Sequence, residues 1–207
     1  YNRPLNEAGT AFEMWEHTVA RVIEHQRWLW ERAQGKPLDH DQMVELNDLM
    51  ELMLDRKVSV SGRTLWLGGT DVAKNREASQ FNCSFLRVNT VHDVVDAFWL
   101  LLQGCGVGFR AVPGVLSGFT KPVEIEVIRS KNSTLKGCER NIEIVKDGVW
   151  TIRLGDSAEA WAKSVGKLLA QKQTVNKLVL DFSEIRAPGI RLRGYGWISS
   201  GDVQISR

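Results

Sequence analysis

The period of the apolar side chains changes near residue 80, and that change constrains the fold more than any other feature of the chain. Before it, Phe12, Trp15, Val19, Val22, Ile23 and Trp30 recur at three-to-four-residue steps, the spacing that lines one face of a helix. Gly35, Lys36 and Pro37 break the pattern. Asp39 with Gln42 then makes a capping box, and a second helix is predicted to about Leu54, with Met43, Leu46, Leu49, Met50 and Met53 turned inward. From Gln80 to Val88 the period is two, with Phe81, Cys83 and Phe85 on one side and Asn82, Ser84 and Leu86 on the other, as in a strand. A chain that uses both periods builds both helix layers and sheet layers, so a small helical N-terminal domain followed by an α/β domain is expected.

The pattern continues past the strand. Thr90 can cap a helix bearing Val94, Val95, Phe98, Leu101 and Leu102, which runs into the glycine-rich Gly104-Cys-Gly-Val-Gly108. Val123, Ile125 and Val127 alternate with Glu124 and Glu126. The runs Ile142 to Val145 and Val149 to Leu154 flank Asp147-Gly148, a strong hairpin signal because both turn positions tolerate a left-handed backbone. Asp156 with Glu159 is read as the cap of a helix carrying Trp161, Val165, Leu168 and Leu169, and Leu178 to Phe182 as a parallel strand returning to the α/β domain. Arg186 to Gly201 mixes arginines with glycine and proline and is expected to be a functional loop.

Charge and cysteine usage narrow the function. With 27 basic and 25 acidic residues, the chain has no strong field with which to hold nucleic acid or an anionic membrane nonspecifically. The exception is the late cluster Arg186, Arg191 and Arg193, which can hold a triphosphate as easily as a duplex. No apolar run reaches the roughly 18 residues of a membrane span, and the start has no signal-peptide shape. A cytoplasmic protein is expected, and Tyr1 and the abrupt stop at Arg207 read as the ends of a piece of a longer one. Cys83, Cys105 and Cys138 match neither a metal cluster nor a disulfide framework, so each serves packing or thiol chemistry. His17, His25, His40 and His92 have no metal-ligand spacing beyond His17 with His25, two helical turns apart, and no metal site is expected.

Five patterns stand in a fixed order: Ser61-Gly-Arg-Thr-Leu-Trp66, Asn82-Cys-Ser-Phe85, Gly104-Cys-Gly-Val-Gly-Phe109, Gly155-Asp-Ser157, and Leu180-Asp-Phe-Ser-Glu-Ile-Arg186 leading to Gly194-Tyr-Gly-Trp197 and Ser200-Gly201. Each alone is weak. Together, over residues 58 to 201, they resemble the N-terminal half of adenosylcobalamin-dependent (class II) ribonucleotide reductases, most closely the monomeric ribonucleoside-triphosphate type. The resemblance implies a helical domain over 1–57, the start of a ten-stranded α/β barrel over 58–110, an inserted β-hairpin plus helix forming an allosteric effector region over 111–176, and a barrel strand with a specificity loop over 177–207.

It further implies that Cys83 is one of a reducing cysteine pair facing the substrate ribose. Asn82, Ser84, Gly104, Cys105 and Gly106 would bind substrate, and Asp156, Ser157, Arg186, Arg191 and Arg193 a deoxynucleoside triphosphate (dNTP) effector. The radical cysteine, the partner cysteine, most of the adenosylcobalamin site and a C-terminal cysteine pair reopened by thioredoxin or a similar donor would lie in the remaining C-terminal part of the reductase. The chain alone is therefore expected to be inactive, and the complete protein monomeric. Two departures stand out, since the family usually carries glycine at Cys105 and often Gly-Gly at Gly196-Trp197.

Each of these positions also has a plainer reading. A cysteine between phenylalanines is commonly a buried small hydrophobe, Gly104 to Gly108 can be a helix C-cap, and loop arginines are commonly solvated. Cys138 is assigned to structure and the tryptophans to packing. Two other functions fit the same residues: the large subunit of a class I reductase, fed its radical by a separate metal subunit, and a noncatalytic dNTP-binding regulatory module.

Overall fold

The structure, a computed structural model, describes residues 3–6, 10–114, 123–170, 172–192 and 197–203. It divides into two compact units, residues 1–82 and 83–207.

The first unit is helical. Helices α1 (Trp15–Gln34) and α2 (His40–Leu54) are joined by a turn in which Gly35 takes a left-handed conformation, φ 69°. The Asp39 carboxylate accepts the Gln42 amide at 3.0 Å, and the Gln42 side chain accepts the Asp39 amide at 3.1 Å. That reciprocal pair satisfies two amides that a helix start leaves orphaned. Val19, Val22, Met53 and Leu65 form the core, with Trp15, Ile23, Leu49, Met50 and Val60 packed against it. Phe12 falls outside the helix predicted for it: it forms an isolated bridge with Pro4 and is about half exposed. Its spacing continued the helical period, but the helix starts only after Met14.

Residues 58–82, expected to begin the barrel, lie in this unit as short helices α3 (Gly62–Leu67) and α4 (Asp71–Asn75) and a 3-10 turn, Glu77–Gln80. An ion pair ties them down. Glu13 accepts Arg21 in bidentate fashion, Nε at 2.7 Å and an Nη at 2.8 Å, while Arg21 also donates to the carbonyls of Leu65 and Gly68. Gly69, at φ 77°, lies so close to Arg21 that a Cβ would sit 2.7 Å from its backbone oxygen, which excludes any side chain there.

The second unit holds two βαβ crossovers. Strand β1 (Cys83–Val88), helix α5 (Val91–Leu102) and strand β2 (Gly106–Ala111) form the first, with β1 and β2 paired in parallel. Strands β3 (Glu124–Ile128), β4 (Ile142–Lys146), β5 (Val149–Arg153) and β6 (Lys177–Asp181) form a second sheet in the order β3-β6-β5-β4. Helix α6 (Ala158–Ala170) joins β5 to β6. The β4–β5 turn has Asp147 at φ 51° and Gly148 at φ 75°, the backbone of a tight hairpin whose twist matches its strands.

Trp150, Ile152, Leu154, Leu178, Phe182 and Ile185 make the core of the second sheet. Strand β6 lies between β3 and β5, where its buried Leu178 joins that core and Leu180 packs against it. Helices α5 and α6 pack together. Gly166 marks their close approach, since a Cβ there would lie 2.8 Å from a Val95 methyl.

Candidate functional site

Strand β1 alternates in burial. Cys83, Phe85 and Arg87 are exposed, Ser84 and Leu86 are half-buried and Val88 is buried. Helix α5 packs on both β1 and β2, so it covers the face of Ser84, Leu86 and Val88 and leaves the face of Cys83 open. The pairing puts Cys83 opposite Gly106, Phe85 opposite Gly108 and Arg87 opposite Arg110, and paired residues of a parallel ladder share a face. The ring of Phe85 lies against Gly108, where a Cβ would come within 3.1 Å of it. The open face thus carries a thiol beside bare backbone, then an aromatic ring over a second glycine, then two arginines.

The other expected substrate residues are distributed unevenly about this thiol. Gly106 is directly across from Cys83. Ser84 sits on the covered face, its hydroxyl buried without a hydrogen-bond partner among the described residues. Gly104 takes φ 82° in the turn after α5, and its amide donates to the Leu101 carbonyl at 2.9 Å. Cys105 is 3% exposed; its amide donates to Leu100 and its thiol lies 3.6 Å from the Gly106 carbonyl. Its side chain is therefore withdrawn from the surface that presents Cys83. Asn82 is exposed and accepts the Arg63 Nε–H at 3.1 Å.

The expected effector residues come together differently. Asp156 and Arg186 meet each other: Nε donates to the carboxylate at 2.7 Å, and an Nη to the Asp156 carbonyl at 3.4 Å. Their side chains are 6% and 11% exposed. The helix-capping role read for Asp156 belongs instead to Ser157, whose hydroxyl accepts the Ala160 amide at 3.1 Å and donates to the Glu139 carbonyl at 2.7 Å. The carboxylate was free to leave the cap because a neighbouring hydroxyl fills it.

Arg191 is exposed and bridges Ile198 through its backbone. Arg193 lies outside the described residues, as do Gly194, Tyr195 and Gly196. The base of this loop is held by Asp202, a buried carboxylate that accepts the Ser130 amide at 3.0 Å. The sequence reading missed Asp202 and also the pairing of Arg87 with Arg110, although the alternation of β1 already placed Arg87 on the face of Cys83. Among the described residues no group of side chains could hold a metal ion, and no helix is long and apolar enough to cross a membrane.

No family model matches the chain. It is 27% identical over 248 residues to the adenosylcobalamin-dependent ribonucleoside-triphosphate reductase of Lactobacillus acidophilus, a match covering 99% of this chain and 33% of that protein. The reductase of the same name from Lactobacillus leichmannii is 27% identical over 244 residues, with the same coverage. Among solved structures, a B12-dependent (class II) ribonucleotide reductase superposes with a TM-score of 0.72 at 25% identity, covering 99% of this chain and 34% of that one. The chain spans about a third of the length of the relatives it matches.

Proposed function

Because this chain is homologous over nearly its whole length to adenosylcobalamin-dependent ribonucleotide reductases, we propose that it belongs to an enzyme that reduces ribonucleoside triphosphates to deoxyribonucleotides, and that Cys83 is one of its two reducing thiols. The observation that carries this reading is the position of Cys83: exposed at the start of β1, on the face α5 leaves open, with glycine across from it. A ribose can approach the sulfur there without displacing a side chain.

The thiol's part follows from its chemistry. Loss of the 2′ hydroxyl as water needs a proton, and replacing the C–O bond by C–H needs two electrons and a second proton. A pair of thiols supplies all of these and ends as a disulfide, which a thioredoxin-like dithiol reopens by exchange. Cys83 is the proton donor and one electron source; the second thiol belongs to the part of the relatives that this chain does not span. Gly106 gives the sugar a flat approach. Adenosylcobalamin supplies the radical that starts such chemistry when it is bound. Its contacts are assigned mainly to the part of the relatives that this chain does not span.

For the dNTP effector, the loop around Arg191 is the better candidate, because Asp156 and Arg186 are spent on each other and the Ser157 hydroxyl on its cap. Cys83→Ser in the full natural protein tests the main reading. Multiple-turnover dNTP formation should be abolished while dNTP effector binding is kept; normal multiple turnover would remove Cys83 from the reaction.

A further inference from the structure

We infer that His25 and Trp28 on α1 form an acid-sensitive latch that holds residues 68–80 and lets go of them when the imidazole takes up a proton. The inference stands apart from the function proposed above, because every group in it lies in the helical unit. Three contacts fasten the segment to α1. Gly68 lies so close to His25 that a Cβ there would come within 3.2 Å of the imidazole Cδ2. The Lys74 Nζ sits over the Trp28 ring, 5.8 Å from its centre. Glu77 accepts the Arg32 Nη1–H at 2.5 Å, and Arg32 itself lies 4.7 Å over the same ring. His25 stacks on Trp28 with ring centres 5.7 Å apart, so the imidazole is part of this contact.

A proton arriving on this ring meets several obstacles. His25 is 2% exposed, and a buried imidazolium gives up its hydration. Both ring nitrogens become donors, and Nδ1 has no acceptor among the described residues. Arg21 from α1 and Lys74 from α4 repel the added charge, while Glu77 from the 3-10 turn attracts it. Helix α3 carries one charged residue, Arg63, whose guanidinium lies over the Trp66 ring. A tryptophan face can shelter a cation, but Arg32 and Lys74 already occupy that of Trp28. Undocking the segment returns the imidazole to water, so protonation favours the undocked form. Docking is therefore strongest above the ordinary histidine value of about 6.5 and weakens as pH falls from there toward the lower value of the docked state, by at most about tenfold per pH unit for one proton. Residues 68–80 run directly into Asn82 and β1, so release frees the chain just before Cys83.

The test is hydrogen exchange of the full natural protein between about pH 7.5 and about pH 5.5, each rate normalised to the intrinsic rate at its pH, with peptides from residues 68–80 compared with peptides from α1 and α2. The 68–80 amides should open at a lower free energy than those of the two long helices, and their opening constant should rise by up to about tenfold across that range. H25Q, which cannot take the proton, should remove the rise. K74M takes away a repelling charge and should shrink it, whereas E77Q takes away the attracting one and should enlarge it. These two variants keep the test decisive if H25Q fails to fold, because a purely structural role for the segment would not move them in opposite directions. A pH-independent opening constant in the parent overturns the latch. So does exchange of residues 68–80 only together with α1 and α2, or a change of the same sign in K74M and E77Q.

Discussion

Replacing Asp156 by alanine separates two roles that this residue could have. In the structure its carboxylate is 6% exposed and holds Arg186, whose side chain is 11% exposed, through a 2.7 Å contact. It also takes a weaker contact from the Gly137 amide at 3.4 Å. Among the described residues, alanine leaves a guanidinium almost out of water with the Asp156 carbonyl, 3.4 Å away, as its remaining partner. Stranding one member of a buried ion pair costs about 3–5 kcal/mol. The residual exposure of Arg186 puts the expected loss at the lower end, about 3 kcal/mol.

Asp156→Asn keeps an acceptor and should cost less, about 1–2 kcal/mol. D156A/R186M removes the stranded charge as well and should recover at least about 1 kcal/mol of the D156A loss. Because the chain has two units, a global probe would mix their transitions. The assay is therefore hydrogen exchange at the amides of β5 and β6 along a urea series. A D156A loss below about 1 kcal/mol, or a double variant no more stable than D156A, would refute the clamp. Normal stability with weakened dNTP affinity would return Asp156 to the effector role first read for it.

Other outcomes follow from the same geometry. His25 is buried on α1, and its Nδ1 has no hydrogen-bond partner among the described residues; burial, then the charges of Lys74 and Arg21, hold its imidazole below the ordinary histidine range against an opposing pull from Glu77. A depressed histidine stabilises the fold fully above its unfolded value of about 6.5, and that contribution is lost as pH falls from there toward the folded value. Stability of the helical unit should thus decline below about pH 6.5, and His25→Phe should flatten the profile in that window; an unchanged slope would exclude His25 as its source. Gly166→Ala should destabilise the α5–α6 contact, because overpacking against the stiff Val95 costs about 1–3 kcal/mol against roughly 1 kcal/mol gained in helix propensity. In thermal melts, V95A/G166A should be less destabilised than the sum of its single variants, and strict additivity would show that the two helices do not meet there.

What the sequence disclosed and what it hid divide along the distance between interacting residues. The Asp39–Gln42 capping box and the Asp147-Gly148 turn were legible because both partners lie within four residues and the backbone demand is local. The strand alternation that exposes Cys83 was legible for the same reason: the pleat fixes which side chains share a face. Partner choice was not legible. Strand β6 has the apolar run of any buried parallel strand, and nothing in that run says that it pairs with β3 and β5 rather than β1. Asp156 satisfies a local capping pattern, yet its carboxylate goes to Arg186, thirty residues away.

That failure and the Arg87–Arg110 pairing are the same lesson seen from opposite sides. A charge read locally was assigned to a cap when a distant partner had claimed it. Two charges of one sign, unremarkable when read locally, face each other only because register sets them opposite. In a parallel ladder the register is set through a crossover whose helix must cover one face. Helix α5 therefore does two things at once: it buries Val88 and its neighbours, and by doing so it turns the thiol, the ring and the two guanidiniums outward together.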